Sequence, residues 1–461
     1  MAGENKTSGA DAATPAPLSG AYRAVWRWHF YAGLIVLPVL MLMALTGALY
    51  LFHDEIDGLA YRSMSQVEAR GGTASPDRWV AAAEAGTGGR VSNVLIPARP
   101  DQAVRLTVDL PDGSQRTAFV DPHDAQLTGV TAFGGVMETV KRLHSLALVG
   151  DWANYVVEIV AGWALILVAT GVFMWWPRGR DVGLVTVRAR DAGRRPFWRD
   201  LHAVTGLYAG AVIAFLVVTG MPWSAFWGGQ YMAWVKDHGL GRPKPPAAAS
   251  PFAHAGHGDA PAGVGWTMEG MVMPNPHPGP HAGPHAAHAA RLSVVVAAAE
   301  REGLVRPWLV SIPRSPDLAW TAARVVKQVQ DTRSVYIDGA TGAVRADIGW
   351  RRFGVGAKAF EWGIAVHQGT QYGWLNRSLM LGGCIAVWLL AISGLVMWWK
   401  RRPARRLGAS TAPPGPRVRA AVLGIVLPLA ILYPLTGLSL IAALILDRLF
   451  QSLRRRAVAA S

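Results

Sequence analysis

Residues 27–53 read RWHFYAGLIVLPVLMLMALTGALYLFH, a stretch with no charged side chain after Arg27 and with two histidines, His29 near its start and His53 at its end. About twenty apolar residues in helical form cross the hydrocarbon core of a bilayer, so a membrane span is expected here. An imidazole in such a span is costly unless partnered, and intramembrane ionisable residues are functional by default. The stretch has an echo. Residues 200–220 read DLHAVTGLYAGAVIAFLVVTG. Both carry His-x3-Gly-Leu followed by Thr-Gly, as His29, Gly33, Leu34, Thr46, Gly47 and as His202, Gly206, Leu207, Thr219, Gly220. Each histidine precedes its threonine by 17 residues.

A second pair of segments repeats in the same way. Glu138, His144, Gly150, Thr170-Gly171 and Met174-Trp175-Trp176 correspond to Glu361, His367, Gly373, Ser393-Gly394 and Met397-Trp398-Trp399. The histidine lies 26 residues before the hydroxyl residue and 6 after the glutamate in both. Upstream, Ala118-Phe119-Val120-Asp121-Pro122 is matched by Val335-Tyr336-Ile337-Asp338-Gly339. The chain is therefore read as a tandem repeat, roughly 23–180 and 197–402, each unit a helix, an external domain and a helix. Parallel repeats tend to place a shared site at the interface between halves, so matching residues face one another.

Composition agrees with a membrane protein. Of 461 residues, 51% are hydrophobic and 16% charged, well under the quarter usual in soluble domains. The net charge of +15 comes from 45 basic and 30 acidic residues. Much of the arginine flanks the apolar runs, where membrane topology puts it, so no nucleic-acid partner is expected. The single cysteine, Cys384, excludes an intramolecular disulfide framework and a CxxC pair. Twenty tryptophans fit membrane interfaces and flat cofactors.

The expected organisation is a disordered cytoplasmic segment 1–22 followed by spans at 23–53, 151–177, 200–227 and 373–399. A fifth span at 418–447 carries Pro428 and Pro434, so it is kinked or re-entrant. The basic loops 178–199 and 400–417 are cytoplasmic by the positive-inside rule, and inserts 54–150 and 228–372 face outward. Five full spans would put Arg454, Arg455 and Arg456 of the basic tail 448–461 outside, against that rule. The first span is read as a signal anchor, its apolar stretch being too long for a cleaved h-region. The fold class is a membrane all-α core, a four-helix bundle from a tandem two-helix repeat plus a fifth helix, with α+β inserts. Short alternating strands with turn residues between them, such as Ala103 to Leu110 and Arg116 to Asp121, define those inserts. Within the second, the low-complexity stretch 243–290 holds six histidines from His254 to His288 and three methionines, Met268, Met271 and Met273. Such a tract binds metals, with methionine favouring Cu(I), or is a plain flexible loop.

His29 and His202 fall near the cytoplasmic ends of their spans, His144 and His367 just before theirs at the outer face. Two histidines on facing helices among tryptophan and phenylalanine suit bis-imidazole ligation of haem iron, here two haems. The Thr/Ser-Gly pairs read as helix-packing elements, and the Met-Trp-Trp ends as an aromatic belt. Arg27, Arg178, Arg199 and Arg401 are either topology charges or partners for haem propionates. His53 has Phe226 at its repeat position, so symmetry does not support it as a ligand. No GxGxxG opens a βαβ unit, so the electron donor is expected to be a quinol or a separate cytoplasmic reductase.

The segments Arg27-Trp28-His29-x3-Gly33-Leu34 with Thr46-Gly47, Leu143-His144 before Gly150, and the Trp-Trp-Pro and Trp-Trp-Lys-Arg helix ends resemble PepSY-associated transmembrane proteins. The resemblance covers roughly 23–402. That bacterial inner-membrane family includes ferric-siderophore reductases and iron-regulated uptake proteins. It implies periplasmic PepSY-like domains, haem b held by His29, His202, His144 and His367, and electron transfer to a periplasmic ferric siderophore. Two other classes stay open at this point. One is a periplasmic copper- or iron-handling protein that uses the His/Met-rich loop. The other is a non-catalytic regulatory or scaffold protein, since PepSY-like domains are also associated with restraining peptidases.

Overall fold

The computed structural model describes residues 20–177, 185–243, 246, 291–315, 318–401, 424 and 426–459. The expectations for the N-terminal segment, for Arg178, for the His/Met-rich tract and for most of loop 400–417 lie outside the described residues.

The chain opens with α1 (Gly20–Tyr50), turns through α2 (His53–Ala60) and α3 (Arg62–Ser65) into α4 (Pro76–Thr87), and then enters four strands. These are β1 (Arg90–Ile96), β2 (Val104–Asp109), β3 (Gln115–Val120) and β4 (Leu127–Ala132), after which α5 (Gly135–His144) leads into α6 (Ala153–Trp175). The second half restates this order: α7 (Arg195–Gly220), α8 (Trp227–Asp237), α9 (Leu292–Arg301), β5 (Trp308–Ser311), β6 (Trp320–Arg324), β7 (Arg333–Ile337) and β8 (Val344–Gly349). Then α10 (Val355–His367) leads into α11 (Gly373–Arg401) as α5 leads into α6. Among the described residues, four helices are long and apolar enough to cross a membrane, over Val25–Tyr50, Ala153–Trp175, Arg195–Trp223 and Gly373–Arg401. Pro38 inside α1 and Pro222 at the end of the third span sit among residues with no charge to anchor them elsewhere.

Within the fifth expected span, the described residues include a C-terminal helix, Pro434–Ala459, whose apolar run continues to Leu446 before Asp447. Proline opens this helix where its missing N–H costs nothing. Helical residues 426–432 precede it, with Tyr433 at the break.

The strands of both inserts form one antiparallel sheet of eight strands in the order β4-β3-β2-β1-β5-β6-β7-β8. The sequence places a small α+β element in each insert; the joining pair β1–β5, with Val94 opposite Val310 and Ile96 opposite Trp308, is what makes them one. Alternation builds the buried face: Val104, Leu106 and Val108 of β2 point inward and their neighbours do not. Trp79 and Ala83 of α4 and Val295 and Ala299 of α9 pack on that face with Ile96, Trp308 and Ile337. Each half carries a bulge at the same repeat position, Phe119/Val120 in β3 and Tyr336/Ile337 in β7.

The chain divides into two compact units. One comprises Met1–Pro38, Ile159–Gly210 and Leu389–Ser461; the other comprises Val39–Glu158 and Ala211–Trp388. His29 and His202 belong to the first, and His144, His367 and the sheet to the second.

Candidate functional site

The four repeated histidines have one and the same local construction. His29 of α1 has Nδ1 2.9 Å from the Thr170 hydroxyl of α6. His202 of α7 has Nδ1 2.9 Å from the Ser393 hydroxyl of α11. His144, the last residue of α5, has Nδ1 2.9 Å from the Thr46 hydroxyl of α1. His367, the last residue of α10, has Nδ1 2.9 Å from the Thr219 hydroxyl of α7.

A hydroxyl has one hydrogen to give, and in all four cases it goes to the helix. Thr170 donates to the Ile166 carbonyl at 2.6 Å, Ser393 to Leu389 at 2.6 Å, Thr46 to Leu42 at 2.7 Å and Thr219 to Phe215 at 2.7 Å. This back-bonding to residue i−4 is how helical serine and threonine satisfy themselves among apolar neighbours. The hydroxyl oxygen is then an acceptor toward the ring, so each Nδ1 carries the proton and donates it. A neutral imidazole has one donor nitrogen and one acceptor nitrogen, which leaves Nε2 with a bare lone pair. The glycine after each hydroxyl residue lies along the ring edge. A Cβ added at Gly171, Gly394, Gly47 or Gly220 would stand 3.4–3.7 Å from the Cε1 of the corresponding histidine.

The rings come together across the repeats. His29 and His202 have ring centroids 6.2 Å apart at an interplanar angle of 81°. Two imidazoles on opposite sides of one metal, with metal–nitrogen bonds of about 2 Å, have centroids about 6 Å apart. In the other unit, burial lowers the His144 pKa, and burial followed by the neighbouring His144 charge lowers His367 to about 4. Both rings are therefore neutral at ordinary pH, as ligation by nitrogen requires. Among the described residues no three His, Cys, Asp or Glu side chains converge. A closed zinc-type site with four protein ligands is thus not what these residues build. The two facing imidazoles of His29 and His202 fit an iron held for the rest by a macrocycle. The Nε of Arg27, two residues before His29, is buried and lacks a hydrogen-bond partner, which suits an anionic group nearby.

The other sequence candidates divide. Arg199 is committed to Asp200, a carboxylate 1% exposed that also accepts from the Arg188 and Ala189 amides. The Arg401 guanidinium stands 4.6 Å over the Trp26 ring. His53 is held locally at the start of α2, its Nδ1 2.9 Å from the Tyr50 carbonyl and its ring stacked on Tyr50. The repeated glutamates are both in ion pairs, Glu138 with Lys141 and Glu361 with Arg242. The paired tryptophans at the ends of α6 and α11 meet edge-on with centroids 6.4 Å apart in both repeats.

Two residues escaped the sequence reading. Glu158, 1% exposed inside α6, accepts from the amides of Phe226 and Trp227 at 3.0 and 3.1 Å and so caps the start of α8. Its signal was available, since it is the sole acidic residue of that span. Asn376 of α11 donates to the Val366 carbonyl at 2.9 Å, tying α11 to the turn that carries His367.

A family model described as PepSY-associated TM region matches residues 26–401. No curated protein matches the chain.

Proposed function

The chain belongs to the PepSY-associated TM region family, and from that premise we propose that it is a haem-containing inner-membrane reductase that passes electrons outward to a ferric chelate. The observation that carries this reading is the fourfold recurrence of an imidazole with Nδ1 engaged by a hydroxyl and Nε2 left bare, together with the facing rings of His29 and His202. Haem, when bound, supplies one-electron redox chemistry. The protein supplies the rest. His29 with His202 and His144 with His367 would hold the group through their imidazole nitrogens, the hydroxyls orienting the rings and apolar helix faces keeping water away.

In this reading α1 and α7 each bring a histidine to one pair and a threonine to the other, so both pairs are built on the same two helices. A quinol gives up two electrons and two protons and so serves two Fe(III) ions, or a separate cytoplasmic reductase supplies the electrons one at a time. Each Fe(III) held in a siderophore accepts one electron and leaves as Fe(II), a poorer match for hard oxygen donors. The sheet-bearing inserts lie on the periplasmic side in this arrangement, with the basic loops in the cytoplasm.

An absorption spectrum of the detergent-purified chain, oxidised and then reduced with dithionite, tests the reading. With pyridine-haemochrome quantification, about two b-type haems per chain are expected from the two bis-imidazole sites. His29→Ala or His202→Ala should remove one haem, and His144→Ala or His367→Ala the other. Addition of a ferric siderophore to the reduced protein should return the oxidised spectrum. Protein that stays colourless when made with ample haem, or four alanine variants with full haem content, would overturn the reading.

A further inference from the structure

We propose that Thr46, Thr170, Thr219 and Ser393 are positioning residues that select the tautomer of the four histidines, so that Nε2 and not Nδ1 meets the metal. The inference rests on the reading above and deepens it by saying what fixes the ligand atoms.

Inside a helix, a buried threonine needs a place for its hydroxyl hydrogen. Back-bonding to the i−4 carbonyl satisfies the hydroxyl hydrogen and is enough for packing alone. In these four residues the oxygen does a second thing. It accepts from a histidine Nδ1 at 2.9 Å every time, in two different compact units and from four different helices. The chain contains a natural control. Thr436-Gly437 repeats the same dipeptide, and Thr436 is fully buried. Yet among the described residues it meets no histidine: its hydroxyl reaches toward the Ile159 carbonyl at 3.5 Å, and its body lies against Gly162. Thr-Gly without a histidine packs helices, and Thr-Gly with one also aims a ring.

A hydroxyl is also the right acceptor for this place. Metal-bound histidines usually donate their second N–H to a carboxylate, a backbone carbonyl or water. A carboxylate would bury a negative charge in an apolar span, at a cost of several kcal/mol. The neutral hydroxyl fixes the same proton without that charge. The neighbouring glycine leaves the ring edge free to lie flat against the helix, with ordinary contact distances at Cε1. Each hydroxyl comes from the same repeat as its histidine, whereas each facing pair draws on both repeats. Orientation is thus set within a repeat and ligation between repeats.

The test uses the full chain with 15N-labelled histidine in lipid, made both with and without haem supply. In the haem-free protein, solid-state NMR should report protonated Nδ1 and bare Nε2 for the four core rings. Thr170→Val should abolish that preference for His29 alone, Thr170→Ser should restore it, and Thr436→Val should change none of the four. With haem supplied, Thr170→Val should weaken binding at the His29–His202 pair by about 10–100-fold, the usual effect of losing an orienting partner. The His144–His367 pair should be untouched. Unchanged tautomer and unchanged affinity in a folded Thr170→Val protein would overturn the proposal and return the hydroxyl to packing. A wild-type protein whose rings follow the hydroxyls but never take up haem would overturn the functional reading instead, and leave the positioning role standing for another metal group.

Discussion

An imidazole buried in a span needs its nitrogens provided for, and this chain provides for one of them by a repeated device. Nδ1 meets a hydroxyl whose own hydrogen is already given to the helix, which leaves Nε2 as the lone acceptor. From sequence, the histidines were legible because an imidazole stands out in an apolar run. The hydroxyls were not, because a threonine in a span is ordinary, and the 17- and 26-residue spacings do not say which way a helix is turned. Asp338 shows the same point outside the membrane. It belongs to a repeated motif, but its energetic role appears only in the folded turn. Burial raises its pKa, yet the Arg345 guanidinium and the amides of Thr341 and Ala340 outweigh this and hold it near 2, below the ordinary 3.8. A carboxylate whose folded pKa is depressed stabilises the fold above its unfolded value and loses that contribution as pH falls through the folded one. Asp338→Asn should therefore cost about 2 kcal/mol of local stability at pH 7. Hydrogen exchange across β7 and β8 should show the two proteins converging as the pH falls from about 4 toward 2. A difference that persists undiminished at pH 2 would assign the effect to shape and not to charge.

Helices and strands were legible in proportion to how local their causes are. The four spans follow from uninterrupted apolar length, and the strands of each insert from alternation bounded by turns. The pairing of β1 with β5 follows from neither. Its partners are more than 200 residues apart, and nothing in either strand names the other. Only the symmetry of the duplication, with its matching bulges in β3 and β7, makes a shared sheet the natural outcome. The C-terminal helix is the converse case, being seated by one close approach. A Cβ on Gly162 of α6 would fall 2.0 Å from the Thr436 hydroxyl oxygen and 2.8 Å from its Cβ, and Trp163 next door donates to Ser439 at 2.9 Å. Gly162→Val should lift that helix from α6 at a cost of about 1–3 kcal/mol, the range for overpacking a tight contact. Hydrogen-exchange protection of residues 436–443 should fall accordingly, by about 10- to 100-fold. Unaltered protection would mean that the helix is held from elsewhere.

At the scale of the whole molecule, the duplication decides what each part of the chain is for. Each repeat supplies one histidine and one hydroxyl-bearing residue to each of the two sites, so neither repeat completes a site alone. All eight of these residues, and every strand of the sheet, lie outside 251–288, the stretch that gives the rival metal-handling reading its histidines and methionines. The two readings therefore separate cleanly on one deletion. If the function resides in the facing imidazoles, the chain without 251–288 should retain its full haem complement. It should also still be reoxidised by a ferric siderophore, because nothing that orients a ligand nitrogen has been removed. Such a tract, rich in imidazole and thioether, binds soft and borderline metals whatever its purpose, so loss of copper binding in the deletion would say nothing by itself. The decisive measurement is reoxidation of the dithionite-reduced deletion protein by the chelate. Full haem with no reoxidation would move substrate handling into that tract, whereas full haem with reoxidation intact would leave the paired histidines as the seat of the activity.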